Sequence, residues 1–152
     1  ETSTQPVINM RLKIEINTRE HFNVLGLKKI SYKVENSWYK GECNITGYEI
    51  EELLGTKLRA LYQRSKGRDL FDLYWALTNH EVDADIVIQC YKAYMDFSVE
   101  NPPTKRQFLA NMDEKMKDNE FLRDTNSILK PGTEYNNTKA WELARTELIE
   151  KL

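Results

Sequence analysis

Apolar and polar residues alternate at the start of this chain and then switch to a helical spacing that persists to its end. Between residues 7 and 17, Met10, Leu12, Ile14 and Ile16 alternate with Arg11, Lys13, Glu15 and Asn17, the period of a half-buried strand. A second strand is predicted over residues 30–35, with Ile30, Tyr32 and Val34 on one face. Asn36 and Ser37 supply turn chemistry before a third strand over residues 38–46, and the last two strands are expected to pair antiparallel. From Glu49 onward the spacing predicts helices over residues 49–65, 68–79, 82–97, 104–116 and 137–152, with a short helix or turn in 120–129. Thr104 and Gln107 have the spacing of a capping box, and Asn101-Pro102-Pro103 and Pro131-Gly132 break the helical runs. The fold class is therefore α+β. A small N-terminal layer of about three strands in residues 1–47 is expected to pack against a bundle of about five helices in residues 48–152.

The stretch from residue 49 to 77 reads as two helices meeting at a corner at Gly67, and it places charges beside an apolar stripe. Advancing about 100° per residue from Ile50, Leu53, Leu54, Leu58, Leu61 and Tyr62 share one arc. Lys57 falls near its middle and Arg64 close by, whereas Arg59 points the opposite way and is expected to be solvated. A cation inside an apolar stripe needs an anion or an opening to a cleft, because unpaired burial costs several kcal/mol. Just beyond the corner, Asp69 and Asp72 share one face of the second helix. This convergence has two readings. Asp69 at a helix start can cap backbone amides, and Lys57–Asp72 or Arg64–Asp69 can be structural ion pairs. Alternatively, the charges form a functional site.

Composition narrows the classes. The 152 residues suffice for one domain with a core, and 22 basic residues against 24 acidic ones give no global basic field, so any nucleic-acid surface must be local. Cys43 and Cys90 lie far apart without cysteine or histidine partners, and His21 and His80 have no metal-ligand spacing, so neither a zinc site nor a disulfide framework is suggested. With no signal peptide and no long apolar run, the chain is expected to be soluble and cytoplasmic, with no membrane partner.

Two elements together carry a family resemblance. One is the apolar–acid–apolar strand Ile14-Glu15-Ile16. The other is the downstream pattern of Glu52, Lys57, Ala60, Leu61, Arg64, Arg68-Asp69, Asp72 and Leu73. This combination resembles the nucleotidyltransferase AbiEii/AbiGii toxin family of type IV toxin–antitoxin systems, over roughly residues 12–77. The Gly-Ser and Asp-x-Asp motifs that open such proteins do not occur here. Asp83-Ala84-Asp85 has the letters but sits at a helix start. The chain therefore resembles the C-terminal part of such a protein, and as a fragment it is expected to be inactive. The resemblance implies transfer of a nucleotide from an NTP to an acceptor such as tRNA, with Mg²⁺ in the full-length protein and a cognate antitoxin as partner. It assigns catalytic roles to Lys57, Asp69 and Glu15. Lys57, Arg64 and Arg68 would bind the nucleotide, Asp72 would support them, and Glu15 with Asp69 would form a partial metal site.

Two other classes remain compatible with the residues. The helical half could be an interaction module that docks an antitoxin or another protein, its charges purely structural. Alternatively, Lys66, Arg68, Lys105 and Arg106 could form a local basic patch with aromatics such as Trp38 or Tyr39 for RNA. A nucleotide site would gather Lys57, Arg64, Asp69 and Glu15 around one cleft.

Overall fold

The computed structural model describes residues 11–14, 16, 20–130 and 132–152. Among these, two strands, β1 (Leu27–Glu35) and β2 (Lys40–Tyr48), precede six α-helices: α1 (Ile50–Gln63), α2 (Gly67–Asn79), α3 (Ala84–Ser98), α4 (Lys105–Lys115), α5 (Asn119–Arg123) and α6 (Asn137–Glu147). A 3-10 turn over Ile149–Lys151 follows. The α+β class and the strands-then-helices order are as expected, and residues 101–152 contain no strand among those described.

The expected pairing of the last two strands is present, with Ile30 opposite Ile45, Tyr32 opposite Cys43 and Val34 opposite Gly41. Asn36 closes the hairpin: its side-chain oxygen accepts from the Trp38 and Tyr39 amides, both at 2.9 Å. Just upstream, Gly26 adopts φ 87°, a left-handed turn that any side chain would strain. The strand layer differs from expectation in two respects. The sheet has two strands, because residues 11–14 and 16 belong to none, and the remainder of the predicted first strand lies outside the described residues. Alternation makes a strand only where a neighbour takes the backbone hydrogen bonds. Leu12, Ile14 and Ile16 are accordingly exposed. The hairpin also does not form a layer on the bundle, since nearly every position of β1 and β2 is exposed.

Among the described residues the fully buried core comes from the helices, the 3-10 turn and Leu148 between α6 and that turn. Leu58, Leu61, Leu70, Leu73, Val87, Met95, Phe108, Met112, Phe121, Leu148 and Ile149 are fully buried, each removing about 1.5–3 kcal/mol of apolar side chain from water. The Thr104–Gln107 capping box opens α4 as predicted. Asp83 caps α3 by accepting from the Asp85 and Ile86 amides, so the Asp83-Ala84-Asp85 letters serve a helix end. No described helix is long and apolar enough to cross a membrane.

Two glycines set the packing around α1 and α2. A Cβ on Gly55 would meet Cys90 Cβ at 2.6 Å and the Tyr91 amide nitrogen at 2.9 Å, so α3 closes directly on the α1 backbone there. The corner at Gly67 has a similar cause. Its φ is not positive; instead a Cβ would fall 2.1 Å from the Phe121 carbonyl oxygen of α5.

Candidate functional site

The buried residues of α1 are Glu52, Leu54, Gly55, Leu58 and Leu61, while Leu53 is 46% exposed. The inward arc is therefore rotated by roughly 60° from the one that leucine spacing predicts. Gly55 explains the rotation. Hydropathy counts it as neutral, yet its missing side chain draws α3 onto that flank. Lys57 and Arg64 consequently stand on the rim of the core rather than in its middle, with side chains 37% and 50% exposed.

The buried charge is the acid. Asp69, on the first turn of α2, has no exposed surface. Arg64 reaches back across the corner with its planar fork, Nε to Oδ2 and Nη2 to Oδ1, both at 2.7 Å. Two parallel charge-assisted bonds of this kind fix orientation as well as charge. The Arg64 guanidinium is held above its ordinary pKa, first by this hydrogen bond and then by the Asp69 charge, against the opposing effect of burial. Lys57 Nζ stands 3.6 Å from Asp69 Oδ1 and 2.6 Å from Asp72 Oδ2. The corner thus brings Lys57, Arg64, Asp69 and Asp72 together, within the reach expected for Lys57 and Asp69.

The helix-cap reading of Asp69 does not describe this geometry, because its oxygens serve Arg64 and Lys57. It is Asp124 that accepts from the Arg68 amide at 3.1 Å. The Arg68 side chain points to that same acid, at 3.9 Å, as does Lys66. Arg68 therefore joins α2 to the segment after α5 rather than the Lys57–Arg64 pair. Lys105 engages Glu150 instead, through both its backbone and side-chain oxygens.

A third cation belongs to the neighbourhood. Arg59, expected to be solvated, has a side chain only 16% exposed. It pairs with Glu20, donates to Ser98 Oγ at 2.7 Å and lies 5.4 Å over the Tyr94 ring. Sequence reasoning missed it because its partner comes from an irregular segment with no periodicity to reveal where it packs. A cleft of about 290 Å³ runs over the outer face of α1, with Lys57 and Arg64 on one flank and Arg59 on the other. Leu53, Thr56 and Ala60 lie between them, and Tyr48 and Tyr94 also line the opening.

Lys115 was also not singled out from the sequence. Its buried amine donates to the Leu61 and Tyr62 carbonyls, two groups in the last turn of α1 that have no onward helical partner. A lysine at a helix end normally reads as a dipole complement, and nothing in the sequence marks this one as buried. Burial pushes its pKa down from 10.5 to about 8, with the Asp69 charge pulling the other way. A base whose folded pKa lies below its unfolded value binds its proton more tightly when unfolded, so stability rises with pH through that window. The unfolding free energy relative to Lys115→Met is expected to grow by up to about 3 kcal/mol between pH 7 and 10.5. Parallel denaturation curves with a constant difference across that range would contradict this.

The fit to a divalent cation can be tested on the donor set. Among the described residues there is no group of three or more histidine, cysteine or acidic side chains placed to hold a metal. Both Asp69 oxygens are engaged by Arg64, so Asp69 would have to release that fork to become a ligand. Glu15, the other half of the expected partial metal site, lies outside the described residues. The described residues thus do not compose a Mg²⁺ site.

The corner thus holds two part-exposed cations at the rim of a cleft, backed by one buried carboxylate that Arg64 grips with both arms of its fork. The family model of the nucleotidyl transferase AbiEii toxin, type IV toxin–antitoxin system, matches residues 2–146, and the chain belongs to that family. Comparison with curated proteins and with solved structures returns no match.

Proposed function

We propose that the intact protein acts as a nucleotidyltransferase toxin, moving a nucleotide from an NTP to an acceptor such as tRNA, and that a cognate antitoxin restrains it. One observation carries the reading: Lys57 and Arg64 stand side by side on one flank of an open cleft, each anchored on the buried Asp69. Nucleotide transfer needs in-line positioning and neutralised phosphate charge more than covalent help. Arg64 keeps Nη1 beyond the fork that holds Asp69, and Lys57 offers a compact point charge, a complementary pair for adjacent phosphates. Asp69 orients both cations, and Asp72 holds Lys57 at the rim.

The test is incubation of the intact protein with each labelled NTP, Mg²⁺ and bulk tRNA, followed by denaturing gel electrophoresis. Label is expected on the RNA with at least one NTP. Absence of label on any RNA with all four would contradict the proposal.

A second reading has its own support. Arg64–Asp69 and Lys57–Asp72 already satisfy one another, as structural pairs in a module that docks an antitoxin or another protein would. The two readings part on whether removing Lys57 affects chemistry or only, slightly, stability.

A further inference from the structure

Residues 20–25 cross α1 and α3 as a strap. Phe22 stacks on Tyr94 at 4.8 Å and lies 5.0 Å from Phe97. The Val24 and Leu25 amides donate to the two oxygens of Glu52 at 2.8 and 3.0 Å, and the Tyr94 hydroxyl donates to Glu52 Oε1 at 2.7 Å. Glu52 is thereby buried and its oxygens are occupied from within the fold. The strap delivers a second carboxylate, Glu20, to Arg59, with both side chains largely buried. The Arg59 guanidinium is not fully used: its Nε is buried and has no hydrogen-bond partner.

We propose that Arg59 is the third phosphate-binding cation of the cleft, and that Glu20 is a stand-in carboxylate displaced from Arg59 when the triphosphate of a nucleotide enters. The inference rests on the nucleotidyltransferase reading and names the residue that completes its anion site. Lys57, Arg59 and Arg64 line the cleft; Asp69 and Asp72 hold the first and last of them, and the carboxylates that line the cleft with them are Glu20 and Glu52. Glu52 is committed to two amides and a hydroxyl, whereas Glu20 sits on the Arg59 guanidinium itself, so Glu20 is the carboxylate with which an anion arriving at Arg59 competes. The Lys57 and Arg64 head groups meet at Asp69 Oδ1, with Arg59 on the other flank of the cleft. A chain of linked phosphates has charge to offer both flanks at once, the Lys57–Arg64 pair on one and Arg59 on the other. The buried Nε has no partner, so one donor of the Arg59 fork is unused while Glu20 occupies Nη1, and the shift that seats a phosphate in place of Glu20 can bring both into use.

Calorimetric binding of inorganic triphosphate to the intact protein at low ionic strength tests this. Glu20→Gln is expected to tighten binding roughly three- to tenfold by removing the competing charge, and Arg59→Gln to weaken it by a similar factor. Arg59→Lys, which keeps the charge but not the fork, should fall between Arg59→Gln and the unaltered protein. It also serves if the glutamine variant fails to fold. Weaker binding in Lys57→Ala with no change in the Glu20 and Arg59 variants would overturn the inference and leave the nucleotide site standing. No triphosphate binding by the unaltered protein would remove both. Arg59→Gln that weakens a short single-stranded RNA but not triphosphate would likewise overturn it, making Arg59 an acceptor contact.

Discussion

Asp69→Asn is expected to lose nucleotide transfer and about 2 kcal/mol of stability together, a fall of roughly 4–8 °C in the unfolding midpoint. The change preserves shape but places an amide where Arg64 and Lys57 expect acceptor oxygens. One of the two 2.7 Å bonds from Arg64 then meets a donor. The cost stays near the lower end for a disrupted buried pair because Arg64, half exposed, can rehydrate. Simple truncation of Asp69 is therefore not a clean probe of chemistry. Thermal unfolding with full native stability in Asp69→Asn would show that the bidentate pair contributes little and that the corner is held otherwise.

Gly67→Ala is expected to be more damaging than any surface change on α2, at about 3 kcal/mol or more. The added methyl would sit 2.1 Å from the Phe121 carbonyl oxygen, and backbone cannot swing aside as a flexible side chain can. Either α5 or the start of α2 must move. Moving α5 disturbs buried Phe121 and the Asp124 bond to the Arg68 amide. Moving α2 pulls Asp69 from Arg64 and Lys57, so transfer should fall with stability. Urea denaturation measures this, and a change below about 0.5 kcal/mol would mean the corner relaxes without cost.

The helices were legible because their sequences agree with their environment at several levels. Thr104 and Gln107 cap α4, the prolines fall between elements, and α2 and α3 present one apolar stripe each. The hairpin was legible through Asn36 and the two alternating runs beside it. The family signature also placed Lys57, Arg64, Asp69 and Asp72 around one corner. What escaped depends on contacts between distant segments. Gly55 rotates the buried arc of α1 by admitting α3, and no local pattern encodes that approach. Arg59 appeared solvated because its partner Glu20 lies on a strap without period, and Lys115 appeared to be an ordinary last-turn cation. In each case a long-range contact decides the environment of a residue whose local sequence is unremarkable.

Lys57 separates chemistry from architecture more cleanly than any other residue at the corner. Its side chain is 37% exposed and its closest partner, Asp72, is 40% exposed, so Lys57→Ala should cost less than about 1 kcal/mol of stability. The decisive measurement is transfer of labelled NTP to tRNA by the intact protein and its Lys57→Ala form, each checked by thermal unfolding. Lys92→Ala, on the exposed side of α3, serves as control. A fall in transfer of about a hundredfold or more, with the unfolding midpoint within a few degrees and the control unaffected, is the predicted result. Undiminished transfer by folded Lys57→Ala would contradict the account and return the charged corner to a purely structural role.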